Sequence, residues 1–174
     1  MDPREFLKYY RYDNRLVTGA YYSTSAIKAE PGDTIGVVLL NLGGPDKIED
    51  IEPFLYNLFM DPAIIDMPFG GILRHGLSKF FSRIRSKRAG KDYEVIGGGS
   101  PINKLTREQA ENLESILNNQ FGEPAGVRFR VYMAMRYWHP TSEEAAKKMQ
   151  ADNVKKVVLL PLYPQYSKTT TGSS

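Results

Sequence analysis

Cysteine is absent from this 174-residue chain, and with it go disulfides, thiolate nucleophiles, iron–sulfur ligation and the usual structural zinc. Histidine is nearly as scarce. The two present, His75 and His139, have no Cys, Asp, Glu or His partner at ligand spacing, so no metal site is expected wholly within the chain. His139 instead reads as structural, bonding to nearby backbone. No apolar run approaches the roughly 18 residues of a membrane span, and Met1-Asp2-Pro3-Arg4-Glu5-Phe6 is too polar for a secretory leader. These absences read as a cytoplasmic protein.

Three sequence signatures are missing as well. In Gly97-Gly98-Gly99-Ser100-Pro101 the third glycine of a dinucleotide fingerprint is replaced by Ile102, and no Walker lysine follows Gly43-Gly44, so the nucleotide signal is weak. Ser100 is not in a Gly-x-Ser-x-Gly elbow, and Pro101 would remove an amide from such a turn. Acid is missing from one stretch: Arg74 to Lys91 holds seven Lys or Arg and no Asp or Glu, in a chain of net charge +3. There Leu73, Leu77, Phe80, Phe81 and Ile84 recur at helical spacing, which predicts an amphipathic basic helix. Its plain reading is a core-packing helix with a solvated basic face; its functional reading is contact with an anionic membrane surface or an acidic ligand.

What is there is an alternation of strands and helices. Residues 1–33 carry five of the eleven tyrosines without sustained periodicity and read as an extension. Thr34 to Leu40 is a continuous apolar run, as in a strand buried on both faces. Asp46 is placed to cap a helix whose stripe is Ile48, Ile51, Leu55, Leu58 and Phe59. A helix over Thr106–Phe121 is predicted to turn Ala110, Leu113, Ile116 and Leu117 inward. Val127 to Met135 alternates as a strand, with Tyr132 on its polar side. Thr141 or Ser142 caps a helix through Met149, and Lys156 to Leu162 reads as a third buried strand. Two βαβ crossovers follow, hence an α/β fold with a Rossmann-like or flavodoxin-like doubly wound parallel sheet. No helix follows the third strand to cover it, so the fold reads as incomplete.

Parallel sheets bring the carboxyl ends of their strands to one edge, where ligands bind. That edge receives the loops Asn41-Leu42-Gly43-Gly44-Pro45, Met135-Arg136-Tyr137-Trp138-His139-Pro140 and Tyr163-Pro164-Gln165-Tyr166-Ser167-Lys168-Thr169-Thr170-Thr171-Gly172-Ser173-Ser174. Tyr93, Tyr137, Trp138, Tyr163 and Tyr166, with Arg136 and several hydroxyls, stand beside apolar Leu42, Leu55, Phe59, Met60 and Met67. Apolar faces take flat hydrophobic ligands, and arginine and hydroxyls hold carboxylates at the rim. A porphyrin with propionates fits, as do other aromatic acids.

On these motifs, together with Phe54-Leu55-Tyr56-Asn57-Leu58-Phe59 and Ile96-Gly97-Gly98-Gly99-Ser100-Pro101, the chain resembles the amino-terminal half of ferrochelatase over about residues 34–174. The resemblance implies one half of a two-domain chelatase fold that clasps a porphyrin and inserts ferrous iron in the last steps of haem synthesis. It sets Leu42, Tyr93, Ser100, Tyr163, Ser167, Thr169 and Thr170 at the porphyrin cleft, and Arg136 and Tyr137 near the metal's route or outer site. Leu42, where a coproporphyrin-using subgroup has tyrosine, implies protoporphyrin IX ahead of coproporphyrin III. Residues 54–67 resemble the family's apolar lip, which with the basic helix implies peripheral membrane contact.

The histidine and acidic partner on which the family's chemistry depends belong to a carboxyl-terminal domain absent from this sequence. The 174 residues are therefore expected to be inactive alone, with ferrous iron as substrate, no tightly bound cofactor and no nucleic-acid partner. Two alternatives stand beside this reading: a non-catalytic porphyrin-binding or partner module of the same fold, and a flavodoxin-like domain binding an anionic cofactor.

Overall fold

Thr34–Asn41 forms β1, the strand on which the fold is built. Its Ile35, Val37, Val38 and Leu39 are each under 7% exposed, because the strand is central and both its faces are covered. The computed structural model describes residues 29–62, 64–65 and 71–165. Residues 1–28 of the expected extension, Met67, Tyr166, Ser167, Thr169 and Thr170 lie outside the described residues.

After β1 come a 3-10 turn at Ile48–Asp50 and helix α1, Ile51–Met60. Helix α2 is Gly71–Val95, and α3 is Ile102–Leu117, prolonged by a π-helical turn at Asn118–Gly122. Strand β2, Arg128–Met135, leads to α4, Ser142–Ala151, and then β3, Lys156–Pro161. The three strands form one parallel sheet in the order β2-β1-β3.

Opposite faces of this sheet carry separate cores. On one, Val37, Leu39, Met133 and Met135 pack with Ala110 of α3, flanked by Leu113, Leu117, Phe129 and Val131. On the other, Val38, Tyr132 and Ala134 pack with Ala145 of α4, flanked by Leu40, Met149 and Val154. Gly36 keeps the end of α4 and the turn after it close: a Cβ there would stand 3.4 Å from Met149 Sδ and 3.0 Å from Val154 Cγ1. The capping expectation at Thr141 holds. Its hydroxyl accepts from Glu144 N at 3.2 Å while the Glu144 carboxylate accepts from Thr141 N at 2.7 Å, satisfying two of the donors a helix start leaves open.

Several expectations are corrected. β3 is not buried: Val157, Val158, Leu159 and Leu160 are 36–62% exposed, because β3 is an edge strand and neither core cluster reaches it. The basic helix α2 does not pack by its apolar stripe. Leu73, Phe80, Phe81 and Ile84 are exposed, whereas Ser78 and Ser82 are fully buried. Small residues on that face let α2 lie closely against α1, with Tyr56 Oη 2.6 Å from His75 Nδ1 across the pair. Ile116 of α3 is exposed rather than inward, since Ala110, Leu113 and Leu117 already define the side on the sheet. Tyr132, placed by alternation on a polar side, is buried under α4. Its hydroxyl donates to Asp152 Oδ2 at 2.8 Å, which removes the cost of an unpaired buried hydroxyl. Burial, then Asp152, pushes its phenol pKa up.

At the amino edge of the sheet, Asp33 ties β1 to β3. Its carboxylate accepts from Lys156 Nζ at 2.7 Å, Glu30 N at 3.0 Å and Lys155 Nζ at 3.4 Å. Lys156 foremost, then the Glu30 amide, holds the Asp33 carboxyl well below its ordinary 3.8, against an opposing burial effect. A depressed folded pKa contributes stability that is present above the unfolded value and lost as pH falls through the folded one. Acid unfolding followed by circular dichroism should therefore steepen below about pH 4 in the wild type. Asp33→Asn should remove that part of the slope; an unchanged profile would show the tie to be energetically idle.

Candidate functional site

The backbone ladder of the sheet continues past its strands and so fixes the loops at its carboxyl edge. Arg136 N donates to Asn41 O at 2.9 Å, Tyr137 N to Leu42 O at 3.0 Å, and Leu162 N to Leu40 O at 2.9 Å. The loops after β1, β2 and β3 therefore leave the sheet side by side, with the β1 loop in the middle. With the order β2-β1-β3, successive crossovers run in opposite directions, and the crevice expected at such a reversal lies between the ends of β1 and β3. Leu42 and Tyr163, both half-buried, stand on its two sides.

Gly43 makes the turn possible. Its φ is +80°, and a Cβ there would stand 2.9 Å from the Cβ atoms of both Met135 and Trp138. Glycine is thus required for conformation and for space. Next along, Gly44 lies beneath Ser100, and Ser100 N donates to Pro45 O at 2.7 Å. The glycine-rich loop is in this way docked on the β1 loop. Ser100 Oγ accepts from Ile102 N at 3.4 Å, helping to start α3.

Asp46 does not cap the following helix, as sequence suggested; no side-chain cap is present there. Its carboxylate joins the β1 loop to the first turn of α3 and to the β2 loop instead, accepting from Asn103 Nδ2 at 2.8 Å and from Trp138 Nε1 at 3.0 Å. Asn103 Nδ2 also donates to Gly44 O at 2.9 Å. Trp138 therefore braces the site: its indole N–H is committed and its ring meets Phe54 edge-on at 6.4 Å. His139 is likewise structural, although its partner is not backbone. Nδ1 lies 2.9 and 3.1 Å from the two carboxylate oxygens of Glu144.

Arg136 and Tyr137 converge on a residue that sequence reasoning passed over. Asp61 follows α1 and is 8% exposed. Its Oδ2 accepts from Tyr137 Oη at 2.8 Å, Arg136 Nη2 at 3.0 Å and Arg136 Nε at 3.2 Å. Tyr137 is 4% exposed and is further held by Asn57 Nδ2, which donates to its carbonyl at 3.1 Å. Although burial opposes its charge, the Arg136 guanidinium is pushed above its ordinary pKa by Asp61 and then by Tyr137. Asp61-Pro62 carries an ordinary helix-stop signal, and no local pattern links it to residues 75 and 76 positions away.

Tyr93 sits near the end of α2, where its carbonyl accepts from Gly98 N at 2.8 Å to close the glycine turn. The ring is half-buried, and burial raises its phenol pKa. The structure thus gathers Leu42, Ser100, Arg136, Tyr137 and Tyr163 at the strand ends, with Tyr93 at the base of the loop that carries Ser100. Among the described residues, no group of three or more His, Asp or Glu stands close enough to hold a metal. No described helix is long and apolar enough to cross a membrane.

A cleft of about 860 Å³ lies elsewhere, along the free edge of β2 between α3 and α4. Glu114 and Asn118 cover that edge, accepting from Val131 N at 2.7 Å and Phe129 N at 2.9 Å. Such side-chain bonds blunt an edge strand against unwanted pairing.

The family model described as ferrochelatase matches residues 34–174. A ferrochelatase of Prochlorococcus marinus is 49% identical over 140 residues, covering 80% of this chain and 34% of that protein. For the ferrochelatase of Gloeobacter violaceus the figures are 50% over 140 residues, 80% and 41%. For that of Thermosynechococcus vestitus they are 50% over 139 residues, 80% and 34%. This chain therefore spans 34–41% of the length of these relatives.

Proposed function

The chain belongs to the ferrochelatase family across residues 34–174, and from that membership we propose that it supplies the porphyrin-clasping part of an enzyme that inserts ferrous iron into protoporphyrin IX. The observation that carries this reading is the meeting of Leu42, Ser100, Arg136, Tyr137 and Tyr163 where three parallel strands end, at positions the family resemblance sets along the porphyrin cleft. Ferrous iron is substrate here, not a resident cofactor.

Metal insertion needs a porphyrin bent out of plane so that nitrogen lone pairs become accessible, and a base for two pyrrole protons. Loops fixed by a backbone ladder form a stiff wall against which a macrocycle can be held bent. Leu42 offers that wall an apolar contact, and Tyr163 stands across the crevice. Arg136 and Tyr137 border the metal's route or outer site: guanidinium N–H groups only donate and cannot ligate it, while the Tyr137 hydroxyl donates to Asp61 and keeps its oxygen lone pairs. Asp61 Oδ2 in turn accepts from three donors, which occupies it rather than leaving it to collect pyrrole protons. The family resemblance sets the proton acceptor in a carboxyl-terminal part of the enzyme, and the reading here follows it. The exposed faces of β3 support that part as a packing partner. Exposed Phe80, Phe81 and Ile84 beside the basic residues of α2 support peripheral contact with a membrane on the cytoplasmic side.

The deciding experiment follows the loss of protoporphyrin fluorescence as ferrous iron is inserted, using this chain with and without a separately expressed carboxyl-terminal part. Turnover only in the combined sample supports the reading. Turnover by the chain alone overturns the location of the base, and none in either sample overturns the proposed function.

A further inference from the structure

We propose that Asp61 is a positioning residue of the metal's route, where it offsets the charge of Arg136 and turns the Tyr137 hydroxyl so that a divalent cation can pass. The role rests on the ferrochelatase reading above. An arginine beside a route for ferrous iron raises an electrostatic difficulty. Its guanidinium is charged at every working pH, and like charges a few ångströms apart repel each other strongly where water is scarce. Arg136 cannot give up its proton, so a neighbour has to offset it. Among the described residues, the carboxylate that forms an ion pair with Arg136 is that of Asp61.

Asp61 Oδ2 takes the guanidinium along one edge, through Nη2 at 3.0 Å and Nε at 3.2 Å. Only 7% of the Asp61 side chain is exposed against 41% for Arg136, so the anion is set in the wall and the cation on its surface. The anion is also fixed there, since Asp61 N donates to Leu58 O at 3.3 Å and its carbonyl accepts from Ile64 N and Ile65 N, both at 3.1 Å. The same Oδ2 accepts from Tyr137 Oη at 2.8 Å. A phenol has one proton to donate and oxygen lone pairs to offer. With the proton directed at Asp61, the phenol oxygen turns lone pairs, and not a positive hydrogen, to its other side. Asn57 Nδ2 donates to the Tyr137 carbonyl at 3.1 Å and steadies the residue from its backbone. One carboxylate thus takes two positive ends, a guanidinium charge and a hydroxyl hydrogen, out of a cation's path.

Electrostatic and merely structural roles differ in their kinetics. The assay is ferrous-iron insertion into protoporphyrin by the 174-residue chain combined with the separately expressed carboxyl-terminal part. Asp61→Asn leaves Arg136 uncompensated, so the KM for ferrous iron should rise about tenfold while that for protoporphyrin stays within about twofold. Raising the ionic strength from about 0.02 to about 0.3 M should shrink that rise to about threefold, because the field of a partly exposed charge is screened. Asp61→Asn/Arg136→Gln carries neither charge, and its iron KM should return to within about threefold of wild type even where kcat falls. The inference is overturned by an unchanged iron KM in Asp61→Asn, by a rise shared equally with protoporphyrin, or by a rise that neither salt nor the second substitution relieves. Should Asp61→Asn fail to fold by circular dichroism, Arg136→Gln decides. The uncompensated Asp61 carboxylate should then lower the iron KM by about threefold or more, and a raised or unchanged value overturns the inference. A wild-type combination without turnover overturns the ferrochelatase reading and this inference together, whereas wild-type turnover with any of the failures above removes only the role of Asp61.

Discussion

Gly99→Ala is expected to lower the unfolding free energy by about 3 kcal/mol, although Gly99 has no positive φ and changes by one methyl group. A Cβ on Gly99 would stand 2.2 Å from the carbonyl oxygen of Asp46, 2.6 Å from its carbon and 3.1 Å from Lys47 N. These are backbone atoms, with no rotamer to give way, so one loop must move off the other. The contacts put at risk are the Ser100 N to Pro45 O bond, both bonds of Asn103 Nδ2 and the Trp138 bond to Asp46. At a net contribution of about 1 kcal/mol each, losing most of them gives the stated cost. Gly97 is the control. Its φ is +106° and nothing lies within 4 Å of a Cβ built there, so Gly97→Ala meets backbone strain alone, about 1–2 kcal/mol. Urea unfolding of both variants separates the cases. Equal midpoints would mean that the glycine loop is not seated on the β1 loop in solution.

The order and type of the elements were legible because they depend on local signals. Apolar runs bounded by glycine or proline marked β1 and β3, alternation marked β2, and Thr141 or Ser142 marked the start of α4. Phase and burial were not legible. In α2 the period of Leu73, Phe80, Phe81 and Ile84 is helical, as read, but the inward side is the one bearing Ser78 and Ser82. A pattern gives the angle between residues and not which side meets a neighbour, and close helix approach favours small residues over large ones. Tyr132 was misplaced for a related reason. Alternation presumes one wet face, whereas α3 and α4 cover both faces of β2.

Within the site, the parts carried on consecutive residues were found, and the parts that cross the chain were not. Arg136, Tyr137, Leu42 and Ser100 stand in short motifs at strand or loop ends, and the ladder brings them to one edge. Asp61 and Asn57 hold Arg136 and Tyr137 from 75 and 80 positions away, and Asn103 holds Gly44, beside Leu42, from 59. Their types, Asp and Asn beside helix ends, are also those of ordinary turns and caps. Asp46 shows how such a residue misleads, since a capping position and a bridge between two loops and a helix start look alike in one dimension.

Leu39→Ala tests the other foundation of the site, its central strand, and is expected to cost about 3–4 kcal/mol. Leu39 is 1% exposed, pairs with Met133 on one side and Leu160 on the other, and packs in the cluster of Val37, Ala110, Met133 and Met135. Little around it is free to collapse into the space. Domains are stable by only about 5–15 kcal/mol, and for a chain of this size each kcal/mol moves the melting temperature by about 2–4 °C. A fall of about 10 °C should follow, with porphyrin binding lost over the same range, because Asn41 and Leu42, which anchor Arg136 and Tyr137, lie two and three residues further on. Leu159 is the matched comparison. It occupies a strand of the same apolar character but is 62% exposed, so Leu159→Ala should change stability by less than about 1 kcal/mol. Thermal melts of the two variants by circular dichroism then report on β3 as much as on β1. A large loss at Leu159 would mean that the edge strand is covered in solution, and a dependence of that loss on protein concentration would identify a second copy of the chain as its cover.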